Sequence, residues 1–122
     1  MPRVLVVDDD PAARELLREF LSVKQYEVIE AATGGEGLQR LREDRPHLVL
    51  LDINLPDLSG LEVLRQAKAI DPAVGIIMVT GIQEEEVGRE AMRNGAFDYI
   101  IKPLDLQYLE NSLWYKITTM TL

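Results

Sequence analysis

Residues able to do chemistry stand at the ends of several short apolar runs in this sequence. Asp8 and Asp9 follow the first run, Asp52 follows the third, and Thr80 and Lys102 follow the fourth and fifth. Three carboxylates held about 4 Å apart repel one another by roughly 4 kcal/mol per pair at an effective dielectric constant near 20. A cation must therefore neutralise them if they meet, and an all-oxygen site without His or Cys favours Mg²⁺.

An aspartate beside a bound cation can also act as a nucleophile towards phosphorus. Phosphoryl transfer requires mainly positioning and charge neutralisation. The cation can bridge Asp52 to one phosphoryl oxygen, Lys102 can pair with a second, and the Thr80 hydroxyl can donate to a third. These residue types therefore predict phosphoryl chemistry, provided that the fold brings them together.

The apolar runs are rich in Val, Ile and Leu and are bounded by polar or turn residues, which is typical of strands buried on both faces. Stretches with helical periodicity separate them. This alternation predicts an α/β protein with a doubly wound parallel sheet, whose ligands bind beyond the carboxyl ends of the strands. The predicted strands are Arg3–Val7, Glu27–Ala31, His47–Leu51, Val74–Val79 and Asp98–Ile101.

Each predicted helix opens with a start signal. Asp10 is the expected N-cap of the first helix and Pro11 its first residue, where a missing N–H costs little. The Ser/Thr-x-x-Glu spacing of a capping box, in Thr33 with Glu36 and in Ser59 with Glu62, predicts the second and third helices. The fourth helix starts near Glu84, and the fifth runs from Asp105 towards the C-terminus. The inner face of the first helix is predicted to carry Leu16, Leu17, Phe20 and Leu21.

Length and composition indicate one domain, residues 1–122, of an ordinary globular protein with a net charge of -8. This charge disfavours direct nucleic-acid binding, because a phosphate backbone would be repelled. The chain has no cysteine and no apolar run long enough for a membrane span, so a cytoplasmic protein without membrane contact is expected. No further domain follows Leu122, so we expect either a stand-alone domain or a segment of a larger protein.

Four segments taken together match a known family. They are "VLVVDDD" with its acidic pair, "LLDINLPDLSG" around the central aspartate, "VTG" with a hydroxyl and a small neighbour, and "FDYIIKP" with an aromatic residue, a lysine and a proline. In this order they resemble the receiver domains of two-component response regulators over essentially the whole chain. The resemblance implies a flavodoxin-like, CheY-like fold with five parallel strands in the order 2-1-3-4-5 and five helices in two outer layers.

The resemblance also implies roles for the acidic residues. Asp52 would accept a phosphoryl group from a phosphohistidine on a sensor histidine kinase or phosphotransfer protein. Asp8, Asp9, Asp52 and the main-chain carbonyl of Asn54 would hold Mg²⁺. The protein would be a signalling switch rather than an enzyme, and would catalyse only its own phosphoryl transfer and dephosphorylation.

Other positions take the family's switch and structural roles. Thr80, which assists catalysis together with Lys102, would move towards the phosphoryl group while Tyr99 turns inward behind it. A cis peptide bond would precede Pro103, and the small residue Gly81 would leave access to the site open. The side chain two positions after the threonine, Ile82, influences water access in the family. Since an apolar side chain cannot orient a water molecule, slow self-dephosphorylation is expected.

The fifth predicted helix carries more aromatic residues than one packed face needs. Tyr108, Trp114 and Tyr115 lie beside or away from its apolar stripe. One interpretation is that the fourth helix, the fifth strand and this helix form a surface for an output domain, a downstream protein or a second copy, and that phosphorylation changes its geometry. The alternative is that the rings merely cover core edges or continue into a downstream domain.

Three other functions fit parts of the pattern. An aspartate-nucleophile phosphatase of the haloacid dehalogenase type would need a second aspartate where this chain has Asn54, and a cap domain for which the chain is too short. A flavodoxin-like mononucleotide binder would need a Ser/Thr/Gly-rich phosphate loop after the first strand, where the acidic residues repel phosphate. A phosphorylation-independent, receiver-like interaction domain would be expected to lose its acidic pocket.

Overall fold

The fold is known from a computed structural model that describes residues 1–120. Five parallel strands form its sheet: β1 Arg3–Val7, β2 Glu27–Ala31, β3 Leu48–Leu51, β4 Gly75–Thr80 and β5 Asp98–Ile101. Their spatial order is β2-β1-β3-β4-β5, which confirms the doubly wound architecture and the implied strand order. The five helices are α1 Pro11–Val23, α2 Gly34–Asp44, α3 Gly60–Ile70, α4 Glu85–Arg93 and α5 Leu106–Thr119.

Helices cover both faces of the sheet and enclose two apolar cores. On one face, α1 and α5 pack through Leu17, Leu21, Leu109 and Leu113. On the other face, α2, α3 and α4 pack through Leu38, Leu41, Leu64, Ala67 and Ala91. Every residue of β3 and β4 is buried, as expected for central strands covered on both sides.

The parallel register brings the chemical residues to one edge of the sheet. Val7, the last residue of β1, pairs with Leu51, the last residue of β3. Leu51 pairs in turn with Met78 of β4, and Thr80 pairs with Ile101 of β5. The strands β3 and β4 begin one residue later than predicted, and Thr80 is the last residue of β4 rather than the residue after it. Because each of these strands ends at or leads directly into a site residue, the register sets the acids, the threonine and the lysine side by side.

Two details of the helices differ from the sequence-based expectations. Leu16 is 48% exposed and does not belong to the inner face of α1. It lies about 100° around the helix axis from Leu17, and the buried stripe is centred on Leu17 and Leu21. The capping box predicted for α3 is also absent, because Ser59 Oγ accepts from the Leu61 N–H at 3.2 Å and the Glu62 carboxylate binds other side chains of its own helix.

The remaining start signals agree more closely with the structure. Asp10 caps α1 by accepting from the Ala12 N–H, and Thr33 Oγ1 accepts from the Glu36 N–H at the start of α2. The helix α5 ends at Thr119. Its predicted continuation towards the C-terminus includes residues 121–122, which lie outside the described residues. Within residues 1–120, no helix is both long enough and apolar enough to cross a bilayer.

Candidate functional site

Three carboxylates meet beyond the carboxyl ends of β1 and β3. Asp8 and Asp52 are buried, with exposed fractions of 3% and 7%, whereas Asp9 is exposed. One oxygen from each residue lies within 4.8 Å of the others. The convergence predicted from the apolar runs is therefore present, and it places like charges at a spacing that favours a bound cation.

Lys102 enters this pocket from the loop after β5 and contacts both buried acids. Its Nζ donates to Asp8 Oδ2 at 2.8 Å and to Asp52 Oδ2 at 3.0 Å. Burial by itself lowers the pKa of Lys102, but the hydrogen bonds and charges of Asp8 and Asp52 outweigh burial and raise this pKa above its ordinary value. The lysine is thus charged at neutral pH, and three carboxylates with one ammonium group leave two negative charges in the pocket.

The second oxygen of each buried acid is fixed by the backbone. Asp8 Oδ1 accepts from the Asp10 N–H at 3.0 Å, and Asp52 Oδ1 accepts from the Asn54 N–H at 3.2 Å. Each carboxylate therefore presents one oxygen to Lys102 while its other oxygen is held by an amide two residues further on. Such double anchoring limits rotation of the carboxylate, so the pocket is shaped before any ligand binds.

The start of α3 packs directly against the backbone of Asp52. A Cβ atom placed on Gly60 would lie 2.1 Å from the Asp52 carbonyl oxygen and 2.6 Å from Ile53 Cα. The Gly60 N–H donates to the Ile53 carbonyl at 2.8 Å. Glycine is thus required at this position, and its close approach fixes where Asp52 leaves the sheet.

Thr80 and Tyr99, the predicted switch pair, both contact the backbone of Ile82. Thr80 is fully buried, and its Oγ1 accepts from the Ile82 N–H at 3.4 Å. The half-buried Tyr99 donates its hydroxyl hydrogen to the Ile82 carbonyl at 2.8 Å. Burial raises the pKa of Tyr99, and the nearby charges of Asp52 and Glu84 raise it further. One short segment after β4 therefore joins the two residues.

The remaining predicted positions lie around the rim of the pocket. The Lys102–Pro103 peptide bond is cis, as the resemblance implied. A side chain at Gly81 would meet no atom within 4 Å, which leaves this side of the pocket open. Asn54 has an exposed side chain and is joined to Ser59 by an antiparallel bridge, so its main chain lies in an ordered loop.

The donor set fits Mg²⁺. Asp8, Asp9 and Asp52 supply only oxygen ligands, which a hard divalent cation prefers, and their spacing allows one ion to contact all three. Partial exposure of the group, through Asp9, leaves room for the water molecules that Mg²⁺ keeps. An exposed acidic group is by itself common, but here two members are buried and share a contact with the partly exposed Lys102.

Comparison with known proteins decides the family. A family model for the response regulator receiver domain matches residues 4–113. The chain belongs to this family. A crystal structure of a CheY-like receiver domain protein from Methanospirillum hungatei JF-1 superposes with a TM-score of 0.95 at 37% identity and covers 98% of this chain and 96% of that chain. The receiver fold expected from the sequence is confirmed.

Curated relatives of this receiver domain differ in length. Sporulation initiation phosphotransferase F of Bacillus subtilis is 32% identical over 111 residues, which are 91% of this chain and 90% of the relative. Transcriptional regulatory protein ZraR of Escherichia coli is 36% identical over 110 residues, which are 90% of this chain but 25% of the relative. The chain thus spans nearly all of the first relative and about a quarter of the second.

Two residues that support the receiver site were not predicted from the sequence. Arg14 Nη1 donates to the main-chain carbonyl of Asp8 at 2.7 Å. Asp57 accepts from the amides of Gly34 and Gly35 at the start of α2. The one sequence signal for the second contact is the glycine pair directly after the Thr33 cap, where a helix start is open to a neighbouring carboxylate.

Proposed function

We propose that this receiver domain is a phosphoacceptor switch in a two-component phosphorelay, in which Asp52 takes a phosphoryl group from a phosphohistidine on a sensor histidine kinase or phosphotransfer protein. The observation that carries the proposal is the contact of Lys102 Nζ with both buried acids, at 2.8 Å from Asp8 and 3.0 Å from Asp52. It joins the ends of three strands into one charged pocket. Family membership supports the same function.

The transfer is a single displacement at phosphorus. An oxygen of Asp52 forms the new P–O bond while the P–N bond to the donor histidine breaks, and the imidazole leaves with the electron pair of that bond. Held by Asp8, Asp9, Asp52 and the carbonyl of Asn54, Mg²⁺ would supply neutralisation of the negative charge that gathers in the pocket.

Two further side chains bind the phosphoryl oxygens. Lys102 exchanges its contact with Asp52 Oδ2 for a phosphoryl oxygen, because the attacked carboxylate loses its charge. The Thr80 hydroxyl accepts a hydrogen bond from the Ile82 N–H, so its own hydrogen is free to be donated to a second phosphoryl oxygen. Movement of Thr80 would pull on the Ile82 segment, to which the Tyr99 hydroxyl is also bound.

The signal would be read on the face formed by α4, β5 and α5. A groove of about 610 Å³ there is lined by Gly88, Met92, Tyr99 and Ile101, and Met92 and Ile101 are 48% and 41% exposed. The proposed partner is an output domain, a downstream protein or a second copy of this chain. Sedimentation with and without a phosphoryl mimic tests the second copy: a monomer in both states would exclude self-association.

The finer assignments complete the proposal. The domain is taken to span residues 1–122, to work in the cytoplasm as family members commonly do, and to catalyse nothing beyond its own phosphorylation and dephosphorylation. A haloacid dehalogenase-type phosphatase is not favoured, because Asn54 stands where that mechanism needs its second aspartate.

Intact mass tests the phosphoacceptor directly. The protein is incubated with a small phosphodonor and Mg²⁺, and the parent is compared with Asp52→Asn and with Asp44→Asn, which replaces a carboxylate at the far end of α2. The expected result is one added phosphoryl group on the parent and on Asp44→Asn, and none on Asp52→Asn. An equal adduct on all three proteins would remove Asp52 from its role.

A further inference from the structure

Asp57 connects the loop after the phosphoacceptor to a different element of the fold. Its Oδ1 accepts from the Gly34 N–H at 2.8 Å, and its Oδ2 accepts from the Gly35 N–H at 2.9 Å. Both amides belong to the first turn of α2, where backbone N–H groups lack partners within the helix. Asp57, which lies in the loop 53–59, therefore binds the first turn of α2 through both of its carboxylate oxygens.

The absence of side chains at Gly34 and Gly35 leaves room for the Asp57 carboxylate to approach their amides. A Cβ atom on Gly34 would lie 3.3 Å from Asp57 Oδ1 and 2.8 Å from Val63 Cγ2. A Cβ atom on Gly35 would lie 3.2 Å from Asp57 Oδ2. The hydrogen bonds from Gly35 and Gly34 lower the pKa of Asp57, so the carboxylate is charged at neutral pH and is well matched to the positive end of the helix dipole.

The loop that Asp57 holds also carries the proposed metal-binding carbonyl of Asn54. Near the sheet this loop is closed by the bridge between Asn54 and Ser59 and by the Gly60 N–H, which donates to the Ile53 carbonyl at 2.8 Å. Asp57 lies at the outer part of the loop, where it adds an attachment to α2. Because Asn54 is only three residues away, the attachment limits how far its carbonyl can turn.

We propose that Asp57 is a positioning residue of the receiver site, which fixes the loop 53–59 against α2 so that the main-chain carbonyl of Asn54 stays in place for Mg²⁺. The proposal rests on the function proposed above, since Asn54 is a metal ligand only in that function. Asp57 does not touch the ion, and its effect passes through the loop backbone.

Thr33 supplies a matched control for a purely structural role. It caps the same helix, with its Oγ1 accepting from the Glu36 N–H at 3.1 Å, but it has no hydrogen bond to the loop 53–59. Thr33→Ala and Asp57→Ala therefore both weaken the start of α2. Only Asp57→Ala also releases the loop, so a difference between the two variants in metal binding reports on positioning.

The experiment measures the affinity of the intact chain for Mg²⁺ by calorimetry, together with urea unfolding. We expect both variants to lower the urea midpoint. Asp57→Ala should also weaken Mg²⁺ binding by about 10-fold, the lower end of the usual effect of outer-shell residues on metal affinity. Thr33→Ala should bind Mg²⁺ as the parent does, and Asp57→Asn, which keeps one acceptor oxygen, should recover part of the affinity.

Amide hydrogen exchange in metal-free protein gives a second readout that requires no bound ion. Release of the loop should speed exchange of the Gly60 amide in Asp57→Ala relative to Thr33→Ala. Equal exchange rates and equal Mg²⁺ affinities in these two variants would overturn the positioning role alone. A parent protein that binds Mg²⁺ but takes no phosphoryl group would instead overturn the proposed function.

Discussion

Charge repulsion in the acidic pocket predicts that Asp9→Asn stabilises the protein when Mg²⁺ is absent. Asp9 lies within 4.8 Å of both Asp8 and Asp52, and Lys102 contacts only the latter two. Because Asp9 is exposed, a water-like dielectric applies, and each carboxylate pair then costs about 1 kcal/mol. Removing one charge relieves two such pairs. Asp9 also loses its attraction to the Lys102 ammonium, which cancels roughly one pair, so after screening by salt the expected gain in free energy of unfolding is at most about 1 kcal/mol.

The order of stabilities should reverse when Mg²⁺ is added. A ligand that binds only the folded state stabilises it by about 2.7 kcal/mol at a concentration 100 times its dissociation constant. The parent should gain this amount, whereas Asp9→Asn has lost a metal ligand and should gain little. The variant is therefore expected to be the more stable protein in EDTA and the less stable one in Mg²⁺.

Urea unfolding followed by circular dichroism, once in EDTA and once in saturating Mg²⁺, measures both differences. Glu19→Gln is a suitable control, because it removes one exposed negative charge from α1, away from the pocket, and should show the same small change in both buffers. If Asp9→Asn were less stable than the parent in EDTA, the three acids would not repel as their spacing requires. If the order stayed the same in Mg²⁺, Asp9 would not be a metal ligand.

Further predictions concern water access and the packing of α3. Ile82→Glu should shorten the lifetime of the phosphorylated protein, measured by loss of the phosphoryl mass with time, because a carboxylate can orient an attacking water; equal decay rates in variant and parent would reject this reasoning. Gly60→Ala should lower the free energy of unfolding by at least about 2 kcal/mol, because the new Cβ atom would meet the Asp52 carbonyl at 2.1 Å. Gly81→Ala, with no atom within 4 Å, is its matched control and should unfold within about 0.5 kcal/mol of the parent. Similar losses in both glycine variants would contradict the close approach of α3.

Strand positions, to within one residue at β3 and β4, and the shared edge on which the site residues lie followed from local sequence features. Runs such as Leu48–Leu51 have no polar face and are short, which is typical of strands covered on both sides. Parallel strands share one carboxyl edge, so acids placed directly after two of them lie at the same edge of the sheet, and they meet because β1 and β3 are neighbours. The strand order itself did not follow from periodicity and came from the resemblance of the motifs to receiver domains.

Two local features, the hydrogen bonds of Glu62 and the exposure of Leu16, depended on neighbouring side chains and on helix packing. Glu62 has the spacing of a capping residue, but Arg65 and Gln66 lie one turn further on, and its carboxylate binds these two side chains instead of the N-terminal backbone. Leu16 stands at the edge of an apolar stripe, and its exposure depends on how α1 rotates against the sheet.

The sequence alone determined that Asp8, Asp9, Asp52, Thr80 and Lys102 lie at one edge of a buried sheet. The alternation of apolar strands with amphipathic helices is a local pattern, so it can be read from residues adjacent in the chain. Only the tertiary structure showed that Arg14 donates a hydrogen bond to the Asp8 carbonyl and that Asp57 accepts one from the start of α2. Such contacts join residues whose separation is set by loop paths and helix packing. Each of these contacts contributes little free energy on its own, and no periodic pattern in the sequence predicts it.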